Sequence, residues 1–283
     1  MSSTTLKTSY ICPAKINIGL EVLYKRQDGY HELNTVFARV GSPCDVIEVS
    51  ESAEFTLTCS DPSLATDESN LIFKAVKAFG AAAGKTELPR LHLHLNKQIP
   101  TGAGLGGGSS DAAQAIHICN DHFGQPLPLA ELVEIGSWVG ADVPFFVSGY
   151  KAAVAGGIGD RLEEFDMKHQ YGLLIVKPES IAIPTAQAYA QLKVTKKQGS
   201  DIHDAISTHR WDMITNDFER VIFAANPQLA DIKSSMQEQG AFFASMTGSG
   251  SAIYGLFDSK AHADKAAKAF SQQQLPHWVS LLG

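Results

Sequence analysis

Residues 100–112, P-T-G-A-G-L-G-G-G-S-S-D-A, place five glycines among thirteen residues at one junction of the chain. An alternating L-H-L-H-L segment precedes this run, and a helix-like A-A-Q-A-I-H-I segment follows it. Because glycine loses more backbone freedom on folding than any other residue, such a run needs a local cause. It is either an ordinary flexible connection or a backbone that another group must approach closely.

Two familiar phosphate-binding motifs do not fit this run. Gly102, Gly104 and Gly107 match G-x-G-x-x-G. A dinucleotide-binding fold, however, places that motif in an early βαβ unit, with an acidic residue about 20 residues later. Here the run lies beyond residue 100 and two consecutive predicted helices follow it. The P-loop requires a lysine after its last glycine, where this chain has Ser109.

A more general anion site remains compatible with the run. A strand, a glycine-rich loop and a helix start expose several backbone N–H groups at the positive end of the helix dipole. Ser109 or Ser110 can cap the helix or bind a phosphate oxygen. Lys97, just before the loop, either adds positive charge or is a solvated strand end. The alternative is a glycine-rich connection with a serine cap.

Composition bounds the class of protein. The 283 residues are 44% hydrophobic and 19% charged, enough for a sizeable core in one large domain or two modest ones. The balance of 23 Lys+Arg against 30 Asp+Glu gives −7, so we expect no nucleic acid or membrane partner. The spacing of Cys12, Cys44, Cys59 and Cys119 predicts reduced thiols in a cytoplasmic protein. The start lacks a signal-peptide pattern, and no apolar run approaches the roughly 20 residues that span a bilayer.

The first half of the chain reads as strands followed by helices. Alternation over 14–22 predicts a half-buried strand, and Asp28-Gly29 predicts a turn into a second strand over 32–40. Residues 45–50 and 54–60 predict a further strand pair. The remaining predicted elements are a helix over 70–83, the L-H-L-H-L strand, a helix over 109–123 and a helix that ends at Gly140.

The second half predicts a β-α-β-β-α-β order, the split βαβ arrangement. Its strands are Y-G-L-L-I-V-K-P, F-F-A-S-M-T-G, S-A-I-Y-G-L-F and H-W-V-S-L-L. Its helical stretches are 184–193, 203–223, 227–239 and 259–273. Two packed α+β domains follow, with predicted bounds of 1–158 for ATP binding and catalysis and 159–283 for completing the substrate cleft.

The glycine run, extended to P-x-G-A-G-L-G-G-G-S-S-D-A-A, resembles the phosphate-binding motif of the GHMP (galactokinase, homoserine, mevalonate, phosphomevalonate) kinase superfamily. P-A-K-I-N-I-G-L-E-V, D-G-Y-H-E-L and G-A-D-V-P-F-F resemble one member family, the 4-diphosphocytidyl-2-C-methyl-D-erythritol kinases. M-T-G-S-G-S-A near the C-terminus extends the similarity almost end to end. The resemblance implies a two-domain fold, with an N-terminal ribosomal-protein-S5-like domain and a C-terminal ferredoxin-like domain with extra helices.

The resemblance also implies a reaction. It is ATP-dependent phosphorylation of the 2-hydroxyl of 4-diphosphocytidyl-2-C-methyl-D-erythritol in the non-mevalonate route to isoprenoid precursors, by a monomer or weak homodimer. Mg²⁺ accompanies ATP, bridging phosphate oxygens. The alternatives are another kinase of the superfamily, for mevalonate, homoserine or a sugar, and a nucleotide-binding sensor that has lost catalysis. The implied ATP site consists of Asn70, Lys97, Pro100, Thr101, Gly102, Ala103, Gly104, Leu105, Gly106, Gly107, Gly108, Ser109 and Ser110.

By the same resemblance, Asp142 matches the catalytic aspartate that takes the proton of the acceptor hydroxyl. From the residues alone it is equally an N-cap before Pro144. Lys15 matches the residue that keeps this carboxylate ionised, although a solvent-facing strand lysine is the simpler interpretation. Asn17, on the same strand face, matches a substrate contact.

The cytosine end of the substrate is assigned by resemblance to Tyr30, which stacks on the base, and His31, which bonds its edge. Thr185 and Tyr189, one helical turn apart, match positions that close this pocket between the domains. The family often has phenylalanine at the latter position. Packing is the alternative for the first pair. For Asn70, helix capping is the alternative to a nucleotide contact. His92 and His94 share a strand face but have no third ligand in sequence, so no metal site is predicted.

Overall fold

The structure, a computed structural model, describes residues 8–283. The described chain divides into two compact units. The first unit contains the described residues up to Ala14, Pro43–Ile99 and Gly107–Gly149. The second contains Lys15–Ser42, Pro100–Gly106 and Tyr150–Gly283. The domain bounds predicted from the sequence, 1–158 and 159–283, stay a prediction.

The strands are β1 Thr8–Lys25, β2 His31–Glu51, β3 Thr56–Cys59, β4 Leu91–Asn96, β5 Ala152–Gly156, β6 Arg161–Glu164, β7 Tyr171–Val176, β8 Phe243–Met246, β9 Ile253–Phe257 and β10 His277–Leu282. The α-helices are α1 Leu71–Ala82, α2 Gly107–His122, α3 Leu129–Val139, α4 Val143–Ser148, α5 Thr185–Gln191, α6 Ile202–Ser207, α7 Glu219–Ala225, α8 Pro227–Glu238 and α9 Lys260–Gln272. A single 3₁₀ turn covers Trp211–Met213. Within residues 8–283, no helix has the length and apolar character needed to cross a bilayer.

The six-stranded sheet, with the order β3-β4-β2-β5-β6 and β1 paired with β2, differs from the sequence prediction. The segments 32–40 and 45–50 are one continuous strand, β2, because the residues between them stay extended. The segment 54–60 does not pair with 45–50. Instead β4 lies between β2 and β3, antiparallel to β2 and parallel to β3. Since β4 occupies the hydrogen-bonding edge of β2 with its Leu91, Leu93 and Leu95 buried, β3 can pair only on the far side of β4.

Helices of the first unit bury small and branched apolar side chains at helical spacing. Helix α1 buries Ile72, Ala75, Val76 and Phe79. Helix α2 buries alanine, isoleucine and cysteine side chains along its length. It begins at Gly107, two residues before the predicted start at Ser109. The close packing of α2 therefore fixes where the glycine run becomes helical.

The second unit contains the ferredoxin-like sheet that the sequence predicts. Its strand order is β10-β7-β9-β8, with every neighbouring pair antiparallel. Leu229, Ile232 and Met236 of α8 and Ala263 and Phe270 of α9 lie in the apolar core of this unit. The split βαβ prediction is thus confirmed, and β7, at the centre of the sheet, is buried on both faces.

The single helix predicted over 203–223 is wrong. The structure has α6, the 3₁₀ turn and α7 instead. His209 has a positive φ of 56°, which ends helical geometry just after α6. Asn216 lies outside any helix, and its side chain donates to the carbonyls of Met246 and Gly248.

Strand β1 is not half-buried as its alternation predicts. Lys15 and Asn17 are 4% and 3% exposed, although they lie on the face predicted to be polar and solvated. The Lys15 ammonium lies 5.0 Å from the centroid of the Phe37 ring. The interpretation of Lys15 as a solvent-facing lysine is therefore wrong, because both faces of this strand are covered.

Candidate active site

The glycine loop of the second unit, residues 100–106, takes conformations that glycine alone adopts readily. Gly102, Gly104 and Gly106 have φ of 66°, 77° and 71°. At residue 104 a Cβ atom would also lie 2.2 Å from the carbonyl oxygen of Thr247. The alternate glycines are thus required by backbone conformation, and Gly104 by close approach as well.

The T-G-S-G turn between β8 and β9 packs against this loop. The Thr247 hydroxyl donates to the Gly104 carbonyl at 3.1 Å, and the Ala252 amide donates to the Ala103 carbonyl at 3.1 Å. Asn216 Nδ2 donates to the Met246 and Gly248 carbonyls at 2.7 and 2.9 Å. The turn connects the antiparallel strands β8 and β9, as a simple hairpin turn would. It also holds the glycine loop through the hydrogen bonds to Ala103 and Gly104.

The start of α2, in the first unit, continues the loop. Because the helix begins at Gly107, Ser109 and Ser110 lie in its first turn, and neither is its N-cap. The amides of Gly107, Gly108 and Ser109 have no partner within the helix. The Ser110 hydroxyl is buried and has no hydrogen-bond partner in the described part of the chain. Main-chain N–H groups at a helix N-terminus suit an anion.

Lys97 is not a solvated strand end. Its side chain is 9% exposed, and its ammonium donates to Asp45 Oδ2 at 2.5 Å and to Asp111 Oδ2 at 2.9 Å. Asp45 Oδ1 in turn accepts from the amides of Gln98 and Ile99 at 2.5 and 2.8 Å. A buried cluster of one lysine and two aspartates therefore joins β2, the segment before the loop and the first turns of α2.

Burial is the main cause of the unusual protonation in this cluster. It raises the pKa of Asp111 to about 7, with repulsion from Asp45 acting in the same direction and Lys97 opposing it. Burial likewise raises the pKa of the Cys12 thiol, aided by Asp111 and Asp45. Asp111 Oδ1 has no hydrogen-bond partner within residues 8–283. A carboxyl group in that position binds a proton readily near neutral pH.

Lys15 and Asn17 form a connected polar group in the second unit. Lys15 Nζ donates to Asn17 Oδ1 at 2.7 Å, and Asn17 Nδ2 donates to Thr35 Oγ1 at 3.1 Å. The Lys15 amide donates to the carbonyl of Leu105 in the glycine loop at 2.9 Å. The side-chain amide of Asn17 accepts through Oδ1 and donates through Nδ2, so its two partners determine which atom is the oxygen and which is the nitrogen.

Asp142 and Asn70 occupy N-cap positions of two helices of the first unit but behave differently. Asn70 Oδ1 accepts from the Ile72 amide at 2.9 Å, which is a true cap of α1. Half-buried Asp142 precedes α4, and its carboxylate makes no capping bond to that helix. The capping alternative is therefore seen for Asn70 and not for Asp142, while the catalytic and nucleotide roles of the two residues stay predictions.

The structure brings together three of the four residues predicted for the cytosine end. The rings of His31 and Tyr189 stack with centroids 4.9 Å apart, and Tyr189 packs edge-on against Phe218. Burial, followed by the charge of Lys25, lowers the pKa of His31. Thr185 opens α5 four residues before Tyr189, and its hydroxyl accepts from Ser249 at 3.3 Å.

Tyr30 is the outlying member, with 61% of its surface exposed. Its amide donates to Asp28 Oδ1 at 3.0 Å, which holds the turn between β1 and β2. An exposed aromatic ring on a fixed turn is available for stacking on a flat ligand. The substrate-binding roles of these residues stay predictions.

His92 and His94 project from β4 toward threonines of β3. The Thr58 hydroxyl lies 3.1 Å from His92 Nε2 and 2.8 Å from His94 Nδ1. Over residues 8–283, no group of three or more histidine, cysteine or acidic side chains is arranged to hold a metal ion. The two histidines serve the pairing of adjacent strands.

Sequence reasoning missed Asp45, Asp111 and Asn216. Asp111 was visible in S-S-D at the helix start, and Asp45 in the buried alternation of D-V-I-E. A carboxylate at an otherwise apolar strand position is a signal for a buried cationic partner. Asp45 meets a lysine 52 residues farther along the chain, and Asp111 meets the same lysine 14 residues before it, which no local pattern predicts.

Comparison with known proteins gives matches in both halves of the chain. Residues 70–150 match the GHMP kinase N-terminal domain, and residues 193–277 match the GHMP kinase C-terminal domain. A solved homoserine kinase from Cytophaga hutchinsonii has a TM-score of 0.62 at 17% identity and covers 99% of this chain and 96% of its own. That likeness shows the shared fold.

More similar proteins share one name. The 4-diphosphocytidyl-2-C-methyl-D-erythritol kinase of Chlorobium limicola is 37% identical over 92% of both chains. That of Parabacteroides distasonis is 39% identical over 88% of this chain and 91% of its own. A crystal structure of 4-(cytidine 5'-diphospho)-2C-methyl-D-erythritol kinase has a TM-score of 0.82 at 32% identity, covering 98% of this chain and 99% of its own. This chain therefore belongs to the 4-diphosphocytidyl-2-C-methyl-D-erythritol kinase family of GHMP kinases.

Proposed function

We propose that this protein transfers the γ-phosphoryl group of ATP to the 2-hydroxyl of 4-diphosphocytidyl-2-C-methyl-D-erythritol, giving the 2-phosphate and ADP. The reaction is a step of non-mevalonate isoprenoid precursor biosynthesis. The observation that carries the proposal is 37% identity over 92% of both chains to a relative with this kinase's name. The predicted cytoplasmic location and monomeric or weakly dimeric state are part of the same proposal.

ATP is assigned to the loop Pro100–Gly106 and the first turn of α2. Gly102, Gly104 and Gly106 have positive φ and present backbone without a side chain, and the first-turn amides of α2 lack partners within the helix. Ser110 adds a buried hydroxyl without a partner in the described residues. Together these groups supply the positioned hydrogen-bond donors that phosphoryl transfer requires. Asn70 and Lys97 complete the proposed site, Asn70 as a nucleotide contact and Lys97 as the buried lysine that precedes the loop.

Mg²⁺ would enter with ATP as part of the co-substrate. When bound, the ion neutralises charge that develops on the phosphate oxygens.

Asp142 is assigned as the general base. It accepts the proton of the 2-hydroxyl while the hydroxyl oxygen forms a bond to the γ-phosphorus and the bond from that phosphorus to the β–γ bridging oxygen breaks. The electron pair of the broken bond leaves with ADP, and the proton later passes from Asp142 to water. Lys15 is assigned as the cation that keeps the base ionised.

The diphosphocytidyl end is assigned to Asn17, Tyr30, His31, Thr185 and Tyr189. Stacking of His31 on Tyr189 makes a flat aromatic surface, and the lowered pKa of His31 favours a neutral ring that can bond a base edge.

The test is turnover with ATP, Mg²⁺ and the cytidyl substrate, measured as ADP release and as a new phosphomonoester in the ³¹P spectrum. Homoserine and mevalonate serve as matched acceptors. Turnover confined to the cytidyl substrate supports the proposal. Faster turnover with homoserine or mevalonate contradicts the substrate assignment, and ATP binding without any turnover identifies a nucleotide sensor.

A further inference from the structure

The two ends of the glycine loop are joined through one side chain. Lys97 stands three residues before the loop, and Asp111 stands on the second turn of α2 just after it. The ammonium of Lys97 donates to Asp111 Oδ2 at 2.9 Å and to Asp45 Oδ2 at 2.5 Å. Gly107 permits this approach, because a Cβ there would lie 3.2 Å from the Lys97 nitrogen.

Asp45 extends the contact to the backbone. Its second oxygen accepts from the amides of Gln98 and Ile99, the last residues before the loop. Asp45 therefore fixes the backbone just before the glycine loop, and Lys97 connects this segment to α2, the helix that follows the loop. Because Pro100–Gly106 is covalently continuous with both ends, its span is set by this cluster.

From this arrangement we infer that Lys97 is a positioning residue for ATP binding rather than a phosphate ligand, acting with Asp45 and Asp111 as a buried clasp that sets the two ends of the glycine loop. The inference rests on the proposed function, since it takes the loop to bind the triphosphate. Two of the three N–H donors of the Lys97 ammonium already serve carboxylates, its charge is compensated within the protein, and its side chain is only 9% exposed, which favours a structural role over direct contact with phosphate.

The charges around the clasp favour one proton in it near neutral pH. The titratable groups that face it are Asp45, Asp111, Cys12, Cys59 and, at the surface, Asp61. Two carboxylates and one lysine carry a net negative charge in an apolar setting, and burial disfavours it. Because the Asp45–Lys97 ion pair is balanced by itself, Asp111 can be replaced by a neutral group without leaving an unpaired charge.

That property gives a clean experiment. Asp111→Leu removes the acceptor on α2 and leaves the Asp45–Lys97 pair intact, so the variant keeps a balanced core. Asp111→Asn is the conservative variant, since its amide oxygen still accepts from Lys97. Asp121→Leu, an exposed carboxylate on the same helix, is the matched control. The readouts are calorimetric affinity for a non-hydrolysable ATP analogue with Mg²⁺, KM for ATP, KM for the cytidyl substrate, and thermal unfolding.

We expect Asp111→Leu to weaken analogue binding and raise KM for ATP by about tenfold or more, the loss of roughly one hydrogen bond to a charged group. KM for the cytidyl substrate should change little, Asp111→Asn should recover most of the lost affinity, and Asp121→Leu should match the wild type. In addition, Asp45→Asn should weaken ATP binding, and adding Lys97→Met to it should cost less than Lys97→Met alone.

Two results would overturn the clasp. One is wild-type ATP affinity in Asp111→Leu. The other is a full, additive loss from Lys97→Met in the Asp45→Asn background, as expected for a direct phosphate ligand. If the wild-type protein itself does not bind the ATP analogue, the result contradicts the proposed function and, with it, the role of the clasp. If the wild type binds the analogue and Asp111→Leu binds it with the same affinity, the result contradicts the clasp and leaves the proposed function standing.

Discussion

The hydroxyl of Thr247 donates to the carbonyl of Gly104 at 3.1 Å, while the Thr247 carbonyl oxygen lies where a Cβ of residue 104 would be, 2.2 Å away. Both the hydrogen bond and the close approach require that residue 104 be glycine. The T-G-S-G turn can support the glycine loop only if residue 104 has no side chain.

Gly104→Ala should therefore disrupt the loop. The positive φ costs about 1–2 kcal/mol for alanine. The clash with a backbone oxygen adds to this cost, because a carbonyl cannot rotate away as a side chain can. We expect kcat/KM for ATP to fall by at least about a hundredfold and the melting temperature to drop.

Gly102→Ala is the matched comparison. Residue 102 has a similar φ of 66°, but its Cβ would meet only the Ala182 methyl at 4.0 Å. This variant bears the conformational cost without the clash, so its melting temperature should fall less. Equal losses in the two variants would show that conformation alone, and not contact with the turn, explains the glycine at 104.

Asp142→Asn should lower kcat by about 10²–10⁴-fold, the usual contribution of a positioned general base. The amide keeps the size of the carboxylate and loses only its ability to take a proton, so affinity for ATP should persist. Single-turnover product formation and calorimetric ATP binding measure the two effects separately. Asp231→Asn, an exposed carboxylate of α8, is the control. Turnover of Asp142→Asn at the wild-type rate would remove this residue from the mechanism.

Much of the fold follows from local patterns of apolar and polar residues. The apolar run Y-G-L-L-I-V and the β-α-β-β-α-β order suffice to predict the sheet of the second unit. The N-cap at Asn70 and the cap at Ser259 lie where short polar residues precede apolar helices. The two caps are made by hydrogen bonds within a few residues, so the local sequence predicts them, whereas the strands of the sheet pair across long stretches of chain and only their residue pattern is local.

The remaining features depend on partners far along the chain. The alternation of β1 predicts a solvated face, yet that face is buried with Lys15 and Asn17 bonded to each other. The parallel pairing of β3 with β4 follows from β4 having taken the edge of β2. The Asp45–Lys97–Asp111 cluster depends on three segments that meet only in the folded chain. The spacing of residues in the sequence does not predict which distant side chains meet, although a polar residue at an apolar position indicates that it has a buried partner.

Tyr189→Ala should chiefly weaken binding of the cytidyl substrate. The substitution removes the ring that stacks on His31 and packs on Phe218. Stacking on a base is worth about 1–3 kcal/mol per base, so KM for this substrate should rise about 5- to 150-fold. Tyr189→Phe retains the ring and should have a much smaller effect. Steady-state kinetics with each substrate varied in turn makes the measurement.

The control for Tyr189 is Tyr24→Ala, a tyrosine at the surface end of β1. It tests whether loss of any partly exposed tyrosine reduces activity. A rise confined to the KM for ATP in Tyr189→Ala would mean that the two ligand regions are assigned in reverse.

Asp111 should make the free energy of unfolding depend on pH in a definite direction. Burial, with repulsion from Asp45, raises its pKa from the usual 3.8 to about 7 in the folded protein. Between these two values the folded state holds more protons than the unfolded state. Stability contributed by this group is therefore present at low pH and is lost as pH rises toward 7, with no further change above about pH 8.

Asp111→Asn removes this titration while leaving every other group in place. The stability of the wild type relative to Asp111→Asn, taken from urea unfolding at pH 5, 6, 7 and 8, should fall between pH 5 and 7 and then level. Subtracting the variant cancels the other carboxylates and histidines, which titrate in both proteins. A relative stability that rises with pH would mean that Lys97 holds Asp111 ionised in the folded state. Parallel curves would mean that the folded and unfolded chains bind the proton equally, in which case the desolvation of this carboxyl is fully offset by its lysine.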